Sequence, residues 1–229
     1  MINNQERQKI ITALTAKDVK IPCPDGVIIE ASVKIEKDVI IMPNTIILGN
    51  TEIKSGSVIG PNSYIKDSKI GNNTVLDNTH CTNAVIGSSV TCGPFVHIRP
   101  DCKIADNVHI GNFVEVKNSV IDEGSKLPHL LYVGDSDVGK NVNFGCGCVT
   151  VNYNGRTKNR TTVKDGAFIG CNTNLIAPVT VGENAYTAAG STITKDIPEN
   201  ALSIARCRQT TKDNWVNIKK PYKRQHTEK

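Results

Sequence analysis

Aromatic side chains are scarce in this chain: Phe, Tyr and Trp make up 4% of its 229 residues, with one Trp and two Met. A narrow interior has little room for such rings, so their scarcity fits a thin core. No run approaches the roughly 20 apolar residues of a membrane-spanning helix. Met1 to Lys9 is polar and lacks the apolar centre of a signal peptide. The expectation is a cytoplasmic protein with no membrane partner. Eight cysteines occur, yet none forms a C-x-x-C pair. That argues against a zinc site and for buried, reduced thiols. Excess charge is missing from most of the chain. The net +5 is concentrated from Arg206 onward, where eight Lys or Arg face only Asp213 and Glu228. This basic tail (198–229) holds Trp215 and the run Lys219 to Arg224. It reads either as a lip for a polyanionic cosubstrate or as a solvated terminus. No stacking-aromatic pattern accompanies the charge, so no nucleic-acid partner is expected.

What is present is a beat. Ile29, Ile35, Ile41, Ile47, Ile53, Ile59 and Ile65 follow at intervals of six. The beat resumes at Ile86, Cys92, Ile98, Ile104, Ile110 and Val116, then at Val138 and Phe144, and again from Val163 to Ile193. Hexapeptide periodicity marks a parallel β-helix, in which short strands wind around a narrow core. Gly, Asn, Asp and Pro between the aliphatic positions supply the corners. A small residue four places after each aliphatic one suits a tight interior. Three hexads close one triangular coil, so residues 18 apart should stack. The fold class is all-β, a parallel β-helix over 29–197. Residues 1–28 form a short helix (3–16) and an entry loop before it. Slips near 65–70 and 76–86 read as turn variations. Two larger breaks, 127–137 and 151–162, read as loops leaving the scaffold, and loops on a rigid scaffold often carry function.

The stacking rule assembles candidate sites. Arg99 and Lys117 are one coil apart and share a face. Two stacked cations need an anion, and either nearby Glu115 or a substrate phosphate serves. Cys171 and Ala189 are also one coil apart, with Cys146 one coil earlier. Such small side chains leave either a groove for an extended ligand or merely tight corners. His129, on the first excursion, is a candidate general base; a lone loop histidine is otherwise an ordinary surface residue. His97 and His109 face different sides of a coil, so no three-histidine metal site is expected within one.

Several strings are more specific than the beat: Gly93-Pro94-Phe95 through Arg99-Pro100, Gly111 to Lys117, His129 through Asp135, Asn141 to Gly145, Asn152-Tyr153-Asn154-Gly155 with Lys158, and Ile176 to Thr180. Together they resemble the acetyltransferase half of the bifunctional bacterial GlmU family, densely from 86 to 215 and more weakly from 29 to 85. The resemblance implies a left-handed coil and transfer of acetyl from acetyl-CoA to glucosamine 1-phosphate, on the route to UDP-N-acetylglucosamine. It also implies homotrimers with sites between subunits and no metal. His129 would accept the amine proton. Arg99, Glu115, Lys117, Tyr132, Asn143 and Lys158 would hold the sugar phosphate. Asn152 and Tyr153 would line the acetyl end, and Cys146, Cys171, Ala189 and Arg206 would contact acetyl-CoA. Cys146 and Cys171 depart from the alanine and serine expected there. The family's nucleotidyltransferase half has no counterpart before the repeats, so no uridylyl transfer is expected. Acylation of another amino sugar or nucleotide sugar, and a noncatalytic paralogue, are the alternatives.

Overall fold

The computed structural model describes residues 3–219. Twenty-seven short strands, most of two or three residues, follow one helix. They wind into a left-handed parallel β-helix of about ten coils. Every ladder pairing is parallel, as in Ile28 with Ile46, Ile46 with Tyr64, and Ile40 with Val58. The chain visits three faces in turn. Ile46–Leu48 lies on the first, Glu52–Ile53 on the second and Val58–Ile59 on the third.

The beat explains this geometry. Ile41, Ile47, Ile53, Ile59 and Ile65 point inward and are fully buried, each stabilising the prism by about 1.5–3 kcal/mol. The small residues four places on, Thr45, Thr51, Ser57 and Ser63, are buried too. Their hydroxyls are satisfied by corner carbonyls; Ser57 Oγ donates to Gly71 O at 2.7 Å and Thr51 Oγ1 to Leu48 O at 2.6 Å. Corners turn through left-handed residues, chiefly Asn, Asp and Gly, including Asn44, Asn62, Asn78 and Gly147.

The expected helix is Asn4–Thr15, capped by Asn3, whose side chain accepts from Glu6 N–H while Glu6 reciprocates. Ile11 is buried, and Ile10 and Leu14 pack against the core of the prism. Arg7 Nε donates to Val27 O at 2.6 Å, tying the helix to the first coil.

Three expectations change. Residues 18 apart stack only where all three hexads are complete. Five-residue steps shorten other coils, so Tyr64 pairs with His80 and Val114 with Leu131. Residues 127–137 do not leave the scaffold. Lys126–Gly134 is a strand that pairs in register with His109–Lys117 around a corner. The short steps from Val116 to Ile121 and from Val133 to Val138 imitate a break, although all four residues remain buried. His129 therefore sits on a paired strand, not on a loop. Pairing also passes residue 197, reaching Leu202–Ser203 against Tyr186–Thr187. The break at 151–162 is a true excursion, because Val149 pairs with Asn174, twenty-five residues on. In the tail Trp215–Lys219 forms a short helix. The rest of the basic run and His226 lie outside the described residues.

Candidate active site

Two corners border the first face. The chain enters the face from the third and leaves it for the second. The exit corner carries the cations. Ile98 pairs with Val116, and Arg99 N–H donates to Val116 O at 2.8 Å, so Arg99 stacks on Lys117. Arg99 Nη1 also pairs with Glu115 Oε1 at 2.8 Å. Glu115 thus answers the guanidinium, and in turn lies in register with Tyr132. Lys117 Nζ lies 3.7 Å from Asp135 Oδ2, and its side chain is largely covered.

Asp135 organises this corner. It is buried, accepts from Asn118 Nδ2 at 2.5 Å and also accepts from Asn152 Nδ2. Desolvation is the largest influence on its carboxyl and pushes the pKa up. The Asn118 and Asn152 bonds with the Lys117 charge outweigh it, leaving the group below the ordinary carboxylate value. Asn152 Nδ2 also reaches Tyr132 Oη at 3.3 Å.

The excursion is a small hairpin, closed by Tyr153 pairing with Lys158 and by Asn154 Oδ1 accepting from Arg156 and Thr157 N–H. It presents Lys158 to Lys117. Lys117 is raised above the ordinary lysine value, first because a Lys158 amine that gives up its own proton can accept from it, and also by Asp135. Lys158 is lowered, first by that same interaction and then by the Lys117 charge. The pair competes for protons, and an anion between them would hold both charged. Arg160 anchors the far end of the hairpin. It pairs with both Asp137 oxygens at 2.9 and 2.5 Å and donates to Ser136 O and Asn118 O.

The entry corner carries the imidazole. Asn112 pairs with His129, and Asn112 Oδ1 lies 2.8 Å from His129 Nδ1. An amide oxygen only accepts, so Nδ1 donates to it, and in the neutral imidazole the lone pair is left on Nε2. Cys146 lies one coil further, since Lys126 pairs with Asn143 and Gly147 N–H donates to His129 O at 3.3 Å. Cys171 follows, with Asn172 N–H on Cys146 O at 2.7 Å. Ala189 comes next, with Gly190 N–H on Cys171 O at 2.7 Å. Arg206 closes the column, its Cδ 3.8 Å from where a Cβ on Gly190 would lie. A stripe of small side chains thus runs down the prism from His129.

The structure therefore sorts the expected residues into two groups. Arg99, Glu115, Lys117, Tyr132, Asn152 and Lys158 gather at the exit corner. His129, Cys146, Cys171, Ala189 and Arg206 share the entry corner. Within one chain Asn152 sits with the cations, not beside the small-residue column. Tyr153 is exposed and bonds Gly155 O at 2.8 Å. Asn143 lies on the third face, between Lys126 and Phe168 in the ladder, apart from both groups.

Sequence reasoning gave no role to Asp135, Arg160 or Asn112, nor to an apolar ridge beside His129. Phe95, Phe113 and Leu130 occupy successive left-handed corner positions that earlier coils give to Asn44, Asn62 and Asn78. Each is more than half exposed. The signal was available, because bulky residues interrupt a run of asparagines.

This architecture defines a class, the hexapeptide-repeat β-helix. The profile described as Bacterial transferase hexapeptide (six repeats) matches residues 32–67, 83–118 and 160–195. Among curated proteins the chain matches the C-terminal domain of GlmU. It is 56% identical over 211 residues to the bifunctional protein GlmU of Geobacillus sp., covering 92% of this chain and 46% of that protein. It is 50% identical over 213 residues to GlmU of Halalkalibacterium halodurans, covering 93% and 47%. The chain thus spans about half the length of these relatives. Among solved structures, Francisella novicida UDP-N-acetylglucosamine acyltransferase overlaps at a TM-score of 0.47 and 19% identity, covering 78% of this chain and 65% of that one. That overlap is too partial to carry a functional argument.

Proposed function

We propose that the chain transfers acetyl from acetyl-CoA to the amine of glucosamine 1-phosphate in the cytoplasm, giving N-acetylglucosamine 1-phosphate, a precursor of UDP-N-acetylglucosamine. The observation that carries this reading is the alignment of His129 with the Cys146–Cys171–Ala189 column, across the first face from the cations. A pantetheine arm lying along the column delivers its thioester to the imidazole. Extended corner backbone supplies it with N–H and C=O groups, and Arg206 meets the phosphate-bearing end. The sugar phosphate binds Arg99, Lys117 and Lys158, with Tyr132 and Glu115 completing its pocket and Asn143, on the third face beside the imidazole corner, entering from a neighbouring copy.

The amine nitrogen attacks the acetyl carbonyl carbon, and His129 Nε2 takes the proton it loses. Asn152 and Tyr153 border the reacting carbonyl, where donors stabilise the developing oxyanion. The tetrahedral intermediate expels the thiolate, and His129 returns the proton to sulfur.

The two corners are joined by a trimer. His129 and the exit corner are five register positions apart, at most ~16 Å of extended strand. A three-fold axis facing the first face sets the entry corner of one copy against the exit corner of the next. The Phe95–Phe113–Leu130 ridge supports this arrangement. Bulky residues in a left-handed conformation cost about 1–2 kcal/mol each, and exposed apolar side chains gain by being covered.

The test is release of free thiol from acetyl-CoA on adding glucosamine 1-phosphate. Release with another amino sugar but not this phosphate shifts the acceptor. No release with any amino sugar leaves a noncatalytic binder.

A further inference from the structure

Cys146 and Cys171 occupy one corner on successive coils, as the Phe144–Ile169 register and the bond from Asn172 N–H to Cys146 O place them. Adjacent parallel strands lie ~4.8 Å apart, inside the Cα separation that a disulfide spans. The Cys171 sulfur leans toward the preceding coil. A Cβ on Gly145 would stand 2.9 Å from Cys171 Sγ, so the missing side chain of Gly145 leaves it that space. Cys171 is exposed and Cys146 partly so, whereas Cys81, Cys92, Cys102 and Cys148 are buried. Burial pushes the Cys148 thiol up to about 11, and its Sγ bonds Gly170 O; it is the inert neighbour of the pair. The other thiols with exposed surface are Cys23, in the entry loop, and Cys207, next to Arg206 beyond Ala189 in the column.

We propose that Cys146 and Cys171 are a redox-sensitive thiol pair whose oxidation closes the small-residue column. The oxidant is a low-molecular-weight disulfide. The Cys171 thiolate attacks one of its sulfurs, forming a mixed disulfide and releasing one small thiol. The Cys146 thiolate then displaces the second small thiol and forms the Cys146–Cys171 bond. Two protein thiols are oxidised, one small disulfide becomes two thiols, and no net proton is consumed. The bond lies across the path assigned to the pantetheine arm, so its effect on turnover rests on that assignment. Formation of the bond does not.

The experiment treats the full chain with glutathione disulfide, followed by intact mass, peptide mapping and thiol-release assay. The expected result is a loss of two hydrogens, a 146–171 linked peptide, and at least a ten-fold fall in acetyl transfer that dithiothreitol reverses. Prior acetyl-CoA should slow the linkage. Cys171→Ser, measured against its own untreated activity, should not respond to the oxidant. A stable glutathione adduct without the linkage, or linkage through Cys207 or Cys23, overturns the pair. Linkage with undiminished transfer overturns closure of the column. If the untreated protein transfers no acetyl group, the functional assignment fails while the mapping still decides whether the pair forms.

Discussion

His129 and Cys146 stand at the same corner on successive coils, joined through Gly147 N–H, which donates to the His129 carbonyl at 3.3 Å. The imidazole is thereby fixed at the head of the small-residue column, and its Nδ1 is committed to Asn112. In the proposed reaction the proton acceptor and the path for an extended thioester thus come from one corner of the coil.

Replacing His129 removes only an exposed side chain and one bond to Asn112. For His129→Ala we expect acetyl transfer to fall by about 10²–10⁴-fold, with thermal stability changed by no more than about 0.5 kcal/mol. Thiol release and a thermal melt, run side by side, separate lost chemistry from lost structure.

The exit corner should read phosphate. Lys117→Ala and Lys158→Ala should each raise KM for glucosamine 1-phosphate, by about ten-fold for loss of a charge-assisted contact. KM for acetyl-CoA should stay within two-fold, as roughly expected of a site that does not touch it. An equal loss for both substrates would place these lysines elsewhere in the reaction.

Much of this was legible in the sequence, and the misses have physical causes. The isoleucine beat defined the prism because each inward position lies on a narrow axis. The Arg99–Lys117 and Cys171–Ala189 stacks followed because their coils are three full hexads long. His129 was misplaced on a loop, since two five-residue steps shift the phase without breaking the pairing. Asp135 and Arg160 stayed hidden because their roles depend on how the hairpin folds back over earlier coils. That relationship spans twenty-three residues in the Arg160–Asp137 pair and no local spacing encodes it.

The buried Asp135 ties acid stability to the site. Its folded-state pKa is depressed below the ordinary value of 3.8. It therefore contributes stability above the unfolded pKa, and this is lost as pH falls through the lower folded value. Unfolding of the native chain should steepen below about pH 4. Asp135→Asn should be less stable near neutrality and flatter across that acidic range. Urea midpoints measured from neutrality down to strong acid check the sign.

Gly111 marks where two strands come closest. A Cβ there would lie 1.9 Å from Pro128 O, a backbone atom with no freedom to swing aside. Gly111→Ala should cost about 1–3 kcal/mol through forced separation of the coils. It should also lower transfer by moving His129, one residue from Pro128. A melt and a turnover assay read both effects.

In the proposed trimer the imidazole corner of one copy works with the cationic corner of another. His129→Ala and Lys117→Ala proteins, each impaired alone, are unfolded together, refolded and assayed for thiol release at a glucosamine 1-phosphate concentration well below the KM of the Lys117→Ala protein. Random mixing in a cyclic trimer leaves about a quarter of the intersubunit sites with both native residues. The account predicts transfer recovering toward that fraction. No recovery, in mixed trimers verified by mass, would contradict it and confine the site to a single chain.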